Sequence, residues 1–90
     1  MINKQEKIDL RRECHKLKPV IMIGSKGYTE AVAAEIECAL NSHELIKIKI
    51  STSNKELRDT ITQTICDQHK AELIQQMGHM SSIFRENTDE

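Results

Sequence analysis

Apolar and polar positions along the chain change period several times, and each change marks an element. Leu10, Cys14 and Leu17 recur at spacings of four and three, the stripe of an amphipathic helix. Asn3 with Glu6 three residues on reads as its start, and Pro19 pushes Lys18 out of helical geometry and ends it. Val20 to Ile23 is wholly apolar and rich in β-branched residues, which predicts a short strand buried on both faces. From Thr29 to Ser42, Val32, Ile36 and Leu40 form a second helical stripe, with Ala33 and Ala39 beside it and Glu30, Glu35 and Glu37 facing water. His43-Glu44 breaks that pattern. Ile46 to Ile50 alternates strictly with Lys47 and Lys49, a strand with one apolar and one basic face.

Ser53 with Glu56 reads as a third helix start, and Leu57, Ile61 and Ile65 as its buried stripe, running to about His69. Residues 71–77 and 81–85 flank Gly78-His79 as an antiparallel hairpin. Strand, helix, strand with a connection of this length makes a right-handed parallel crossover. The predicted architecture is an α/β two-layer sandwich: an N-terminal helix followed by βαβαββ, with a mixed four-stranded sheet. Residues 1–86 form the single expected domain, and 87–90 a polar, frayed tail.

Composition narrows the core. Tyr28 and Phe84 are the only aromatics, so Ile, Leu, Val, Met and Ala must fill the interior. No apolar run approaches the roughly 20 residues of a membrane span. The N-terminus has no apolar core of a signal peptide, so a cytoplasmic protein is expected. Cys14, Cys38 and Cys66 are odd in number and irregularly spaced, which favours free thiols.

The net charge of −1 argues against a strongly basic nucleic-acid binder, but its distribution is uneven. Residues 1–29 carry an excess of four positive charges, and residues 51–90 an excess of three negative ones. The positive excess ends in Gly24-Ser25-Lys26-Gly27, between the first strand and the second helix. A strand that ends in Gly-x-x-Gly and feeds a helix presents free N–H groups to an anion, and its glycines leave room for another backbone. Many strand–helix turns, however, carry two glycines for geometry alone. The loop has neither the spacing of a nucleotide-binding P-loop nor the third glycine of a dinucleotide site. Cys66 and His69 lie one helical turn apart, but a structural zinc needs four ligands. A cysteine nucleophile remains an option at the level of residues alone. No carboxylate pair stands out for acid–base work, and no metal or cofactor is expected.

Cys-His-Lys-Leu-Lys-Pro-Val at 14–20, Ile-Gly-Ser-Lys-Gly-Tyr-Thr at 23–29, Ala39-Leu40 and His-Glu-Leu-Ile-Lys-Ile-Lys at 43–49 together resemble the CRM domain. These are the chloroplast RNA splicing and ribosome maturation domains, and the stand-alone bacterial YhbY-like proteins are the nearest type. The resemblance covers roughly residues 4–86. It implies an RNA-binding domain with a fold similar to the C-terminal domain of translation initiation factor three. It also implies association with the large-subunit ribosomal RNA precursor during assembly. Gly24, Ser25, Lys26 and Gly27 would touch RNA backbone, and His15, Lys18 and Lys47 match basic positions of the family pattern. Arg11, Arg12 and Lys16 would follow flanking phosphates, and Tyr28 is the one stacking candidate beside the loop.

His79 stands where a lysine is common in such proteins, the C-terminal half is acidic, and the family's basic C-terminal extension has no counterpart. Weaker RNA binding or a smaller surface is expected from these departures. Ribosomal proteins are possible further partners. The alternative is a protein-interaction module in which the glycine loop is only a turn.

Overall fold

The computed structural model describes residues 2–87; the expected tail falls mostly outside the described residues. The element order is α1 (Lys4–Cys14), β1 (Ile21–Ile23), α2 (Glu30–His43), β2 (Leu45–Ile50), α3 (Lys55–His69), β3 (Glu72–Met77) and β4 (Met80–Phe84). The sheet order is β1-β2-β4-β3. β1 and β2 run parallel, whereas β4 is antiparallel to both β2 and β3. The predicted mixed sheet and crossover are therefore observed. Among the described residues, no helix is long and apolar enough to cross a membrane.

The side chains of Ile21, Ile23, Ile46, Ile48, Ile50 and Ile83 point to one sheet face and meet Ile36 and Leu40 of α2 and Ile65 of α3. This isoleucine-rich layer is the main core. At about 1.5–3 kcal/mol per fully buried large aliphatic side chain, it dominates the favourable side of folding. A second, smaller cluster on the opposite face joins Cys14 and Leu10 of α1 to Leu45, Ile74 and Phe84. α2 and α3 thus complete the expected two layers, and α1 covers part of the other face.

Asn3 caps α1, its side chain accepting from Glu6 N–H at 2.8 Å. Thr29 caps α2 through Val32 N–H at 3.2 Å. The third helix begins one residue later than expected. Asn54, not Ser53, is the cap, and its side chain accepts from Leu57 N–H. The buried side of α3 is Thr62, Ile65, Cys66 and His69, and Leu57 is 46% exposed. α1 ends at Cys14, short of Pro19, and Leu17 lies outside it. The chain must leave the helix early to bring Val20 N–H onto the Lys47 carbonyl at 3.0 Å.

β1 is an edge strand, not a strand buried on both faces. Ile21 and Ile23 are buried, but Val20 is 53% and Met22 65% exposed, because α1 does not reach this end of the sheet. Glu37, expected to face water, instead holds His69 and Arg85. Asn87 is also tied down: its N–H donates to the Glu44 carboxylate and its side-chain amide donates to the Leu40 and Asn41 carbonyls.

Candidate nucleic-acid interface

The loop Gly24–Gly27 is a tight turn closed by Gly27 N–H donating to the Gly24 carbonyl at 3.0 Å. Lys26 keeps a negative φ, so the turn is of type I, with glycine at its favoured last position. Gly27 has φ +74°, which explains a glycine there on backbone grounds. Gly24 differs in its φ, which is not left-handed, while a Cβ added to either loop glycine would meet nothing within 4 Å. The fold itself does not require glycine at 24; the open space in front of it does not belong to the protein's own packing.

Gly24, Ser25 and Lys26 are exposed. Closure of the turn removes Gly27 N–H from the expected set of free donors. The N–H groups of Ser25 and Lys26 have no hydrogen-bond partner among the described residues. Glu30, in the first turn of α2, and the Thr29 cap already serve the helix N-terminus.

Tyr28 is turned inward. Its hydroxyl donates to Gln68 Oε1 at 2.5 Å and lies 3.0 Å from His69 Nε2, with its ring edge-on to the imidazole. Burial pushes its phenol pKa up. His69 Nδ1 is 2.9 Å from Glu37 Oε1, and Arg85 donates to Glu37, to the His69 carbonyl and to Asn41. Arg85 and His69 hold the Glu37 carboxyl down at about 2. This network fastens the residue after the loop to α2, α3 and the end of β4. Sequence reasoning missed it; the one available signal was His69, a polar residue at the buried spacing after Ile65 and Cys66.

The remaining basic residues fall into two places. Lys16, Lys18 and Lys47 line a groove of about 510 Å³ with Leu17, Val20 and Glu13. His15 borders the adjoining cleft, beside Lys47 and Ser82. Arg11 lies apart from them. Its Nε donates to the Ile74 carbonyl at 3.3 Å, at the β3 edge, which is the sheet edge opposite β1. Arg11, expected among the phosphate-following basics, is thus anchored at the β3 edge, away from β1 and the loop. Arg12 is exposed on α1. Among the described residues, no acid forms an ion pair with Arg12, Lys16, Lys18, Lys26 or Lys47. Glu13 is the carboxylate that intrudes on the groove.

All three cysteines are free thiols. Cys14 and Cys66 are buried and Cys38 is exposed. Burial first, then the charges of Asp67 and Glu72, push the Cys66 thiol up to about 11, far from a nucleophilic thiolate at neutral pH. Among the described residues, no three His, Cys, Asp or Glu side chains cluster to hold a metal.

The chain is similar to known proteins over nearly its whole length. The model of the CRS1 / YhbY (CRM) domain matches residues 2–85. An RNA-binding protein of Haemophilus influenzae is 40% identical over 84 residues, covering 93% of this chain and 85% of the relative. A probable RNA-binding protein of Pseudomonas aeruginosa is 36% identical over 86 residues, covering 96% of this chain and 83% of the relative. The solution structure of a Staphylococcus aureus protein proposed to bind RNA is similar, with a TM-score of 0.86 and 29% identity. That match covers 99% of this chain and 93% of the other.

Proposed function

This chain belongs to the CRS1/YhbY (CRM) domain family, and on that premise we propose that it is a non-catalytic RNA-binding protein that captures RNA backbone at its GSKG loop. The observation that carries the reading is Gly24. It is a glycine without a left-handed φ, faced by open space, beside the exposed Lys26 and two N–H groups that have no partner among the described residues. A phosphate seated there accepts from Ser25 and Lys26 N–H, and the Lys26 ammonium adds a point charge. A side chain at 24 would fill the approach. Lys16, Lys18 and Lys47 hold phosphates further along, with His15 and Arg12 at the margin. At about 3.3 Å per residue, the loop lies about 13 Å from Val20 and this groove. A strand of a few nucleotides bridges that distance.

Such contacts position RNA without reading its sequence. Arg11 has no part in this path, because it serves the β3 edge. The RNA is that of the large ribosomal subunit precursor, and the protein acts in the assembly of that subunit in the cytoplasm. The resemblance to YhbY-like proteins supports this assignment. Crosslinking to RNA in cell extract, with sequencing of the bound fragments, tests it. Enrichment of large-subunit precursor RNA is expected; enrichment of unrelated transcripts contradicts it.

A further inference from the structure

The part of the outer sheet face that α1 leaves uncovered carries a row that crosses all four strands. Met22 of β1 pairs with Lys49 of β2, Lys49 with Met80 of β4, and Met80 with Met77 of β3. Strand spacing of about 4.8 Å makes the row about 14 Å wide. Its ends are exposed, Met22 by 65% and Met77 by 58%. The row lies at the sheet end from which the GSKG loop springs, since Met22 precedes Gly24 by two positions. The next row behind it, Lys47, Ser82 and Gln75, adds a second ammonium and no strand carboxylate, although Glu13 of α1 shares the groove of Lys47. The nearest acid on a strand of this face, Glu72, is at the far end, paired with Phe84.

We propose that this methionine–lysine row is a platform for the bases of an unpaired RNA strand whose backbone is held by the GSKG loop. The proposal rests on the RNA-binding reading above and adds a second subsite to it. Thioethers are soft and polarizable, and they make favourable contacts with aromatic rings. Every base offers such a ring once it leaves a duplex. Lys47 and Lys49 supply the charge that an apolar ligand would not need and a polyanion does. A protein partner fits less well, because lysine is depleted from the centre of protein interfaces, and here Lys49 lies between methionines. Duplex RNA fits less well too, since it shows phosphates and no ring faces. The platform takes over the stacking role that Tyr28, locked against His69, does not play.

The test uses two eight-nucleotide single strands, an oligoadenylate and an abasic oligomer of equal length, with the double variant Met22→Ser/Met77→Ser. Both side chains are exposed, so the fold is retained. The variant is expected to bind the oligoadenylate about tenfold more weakly, the size of two lost sulfur–ring contacts, and the abasic strand unchanged. Lys26→Glu is expected to weaken both strands. Undiminished oligoadenylate binding by the double variant overturns the platform and leaves the loop reading standing. Undiminished binding of both strands by Lys26→Glu overturns the loop reading instead. As a second readout, the methyl resonances of Met22, Met77 and Met80 should move upfield by ring current on titration with oligoadenylate; unmoved resonances overturn the platform. If the double variant keeps its oligonucleotide affinity but no longer sediments with ribosomal particles, the face is a protein site and the proposal is wrong.

Discussion

The phenol oxygen of Tyr28 sits 3.0 Å from Nε2 of His69, joining the residue after the GSKG turn to the buried side of α3. The loop is thereby held from behind while Gly24, Ser25 and Lys26 stay open in front. Tyr28→Phe keeps the ring and removes the hydroxyl. It should cost about 1 kcal/mol in urea denaturation, the typical net value of one hydrogen bond. It should also weaken RNA binding severalfold by loosening the turn. A variant with unchanged affinity would show that the loop needs no such support.

The two loop glycines should separate stability from binding. Gly27→Ala forces a side chain onto φ +74° and should cost about 1–2 kcal/mol. Gly24→Ala should leave stability within about 0.5 kcal/mol, yet weaken RNA binding by closing the approach. Thermal unfolding and an RNA-binding titration on both variants check this. Equal loss of stability in the two would mean that Gly24 serves the turn alone.

The Glu37 carboxyl is held at about 2, against an ordinary value of 4.5, by Arg85 and His69. A depressed carboxylate contributes stability above its unfolded pKa, and the contribution fades as pH falls through the folded one. The stabilisation is therefore complete above about 4.5 and is lost towards about 2. Glu37 is half exposed, so solvent screening limits it to about 1 kcal/mol or less. Glu37→Gln should flatten this part of the acid unfolding curve; an unaltered curve would show that another carboxylate sets it.

Cysteine chemistry should be dispensable. Replacing Cys14, Cys38 and Cys66 together by Ala should leave RNA binding intact, with about 1 kcal/mol lost at each of the two buried sites. In the native protein only exposed Cys38 should react quickly with a thiol reagent. Fast modification of Cys66 would contradict its raised pKa.

Much of this architecture was legible in the chain because local chemistry carried it. Asn3 and Thr29 announce their helices through side-chain caps, and the alternation of Ile46 to Ile50 sets β2 with its inward and outward faces. Ser53 and Asn54 are equally good cap types, so their order could not be decided by residue type. β1 has too few residues for a period to show, and an apolar run there does not reveal whether α1 reaches it. The exposure of Met22 follows from sheet order, a non-local property. Of the candidate site, the loop was legible, whereas the meeting of Lys47 with Lys16 and Lys18 depends on the pairing that sets Val20 N–H on the Lys47 carbonyl, a contact between distant segments. The departure of Arg11 to the β3 edge and the Tyr28–His69–Glu37–Arg85 network join distant segments and leave no local pattern.

The central claim is that a phosphate is held at the GSKG loop, and the salt dependence of RNA binding tests it most directly. For unpaired RNA, each neutralised phosphate contributes about 0.7 to the slope of log affinity against log salt. Lys26→Glu should bind more weakly at low salt and show a slope shallower by about that amount, with its fold intact. Identical affinity and slope in the variant and the unaltered protein would remove the loop from the RNA path.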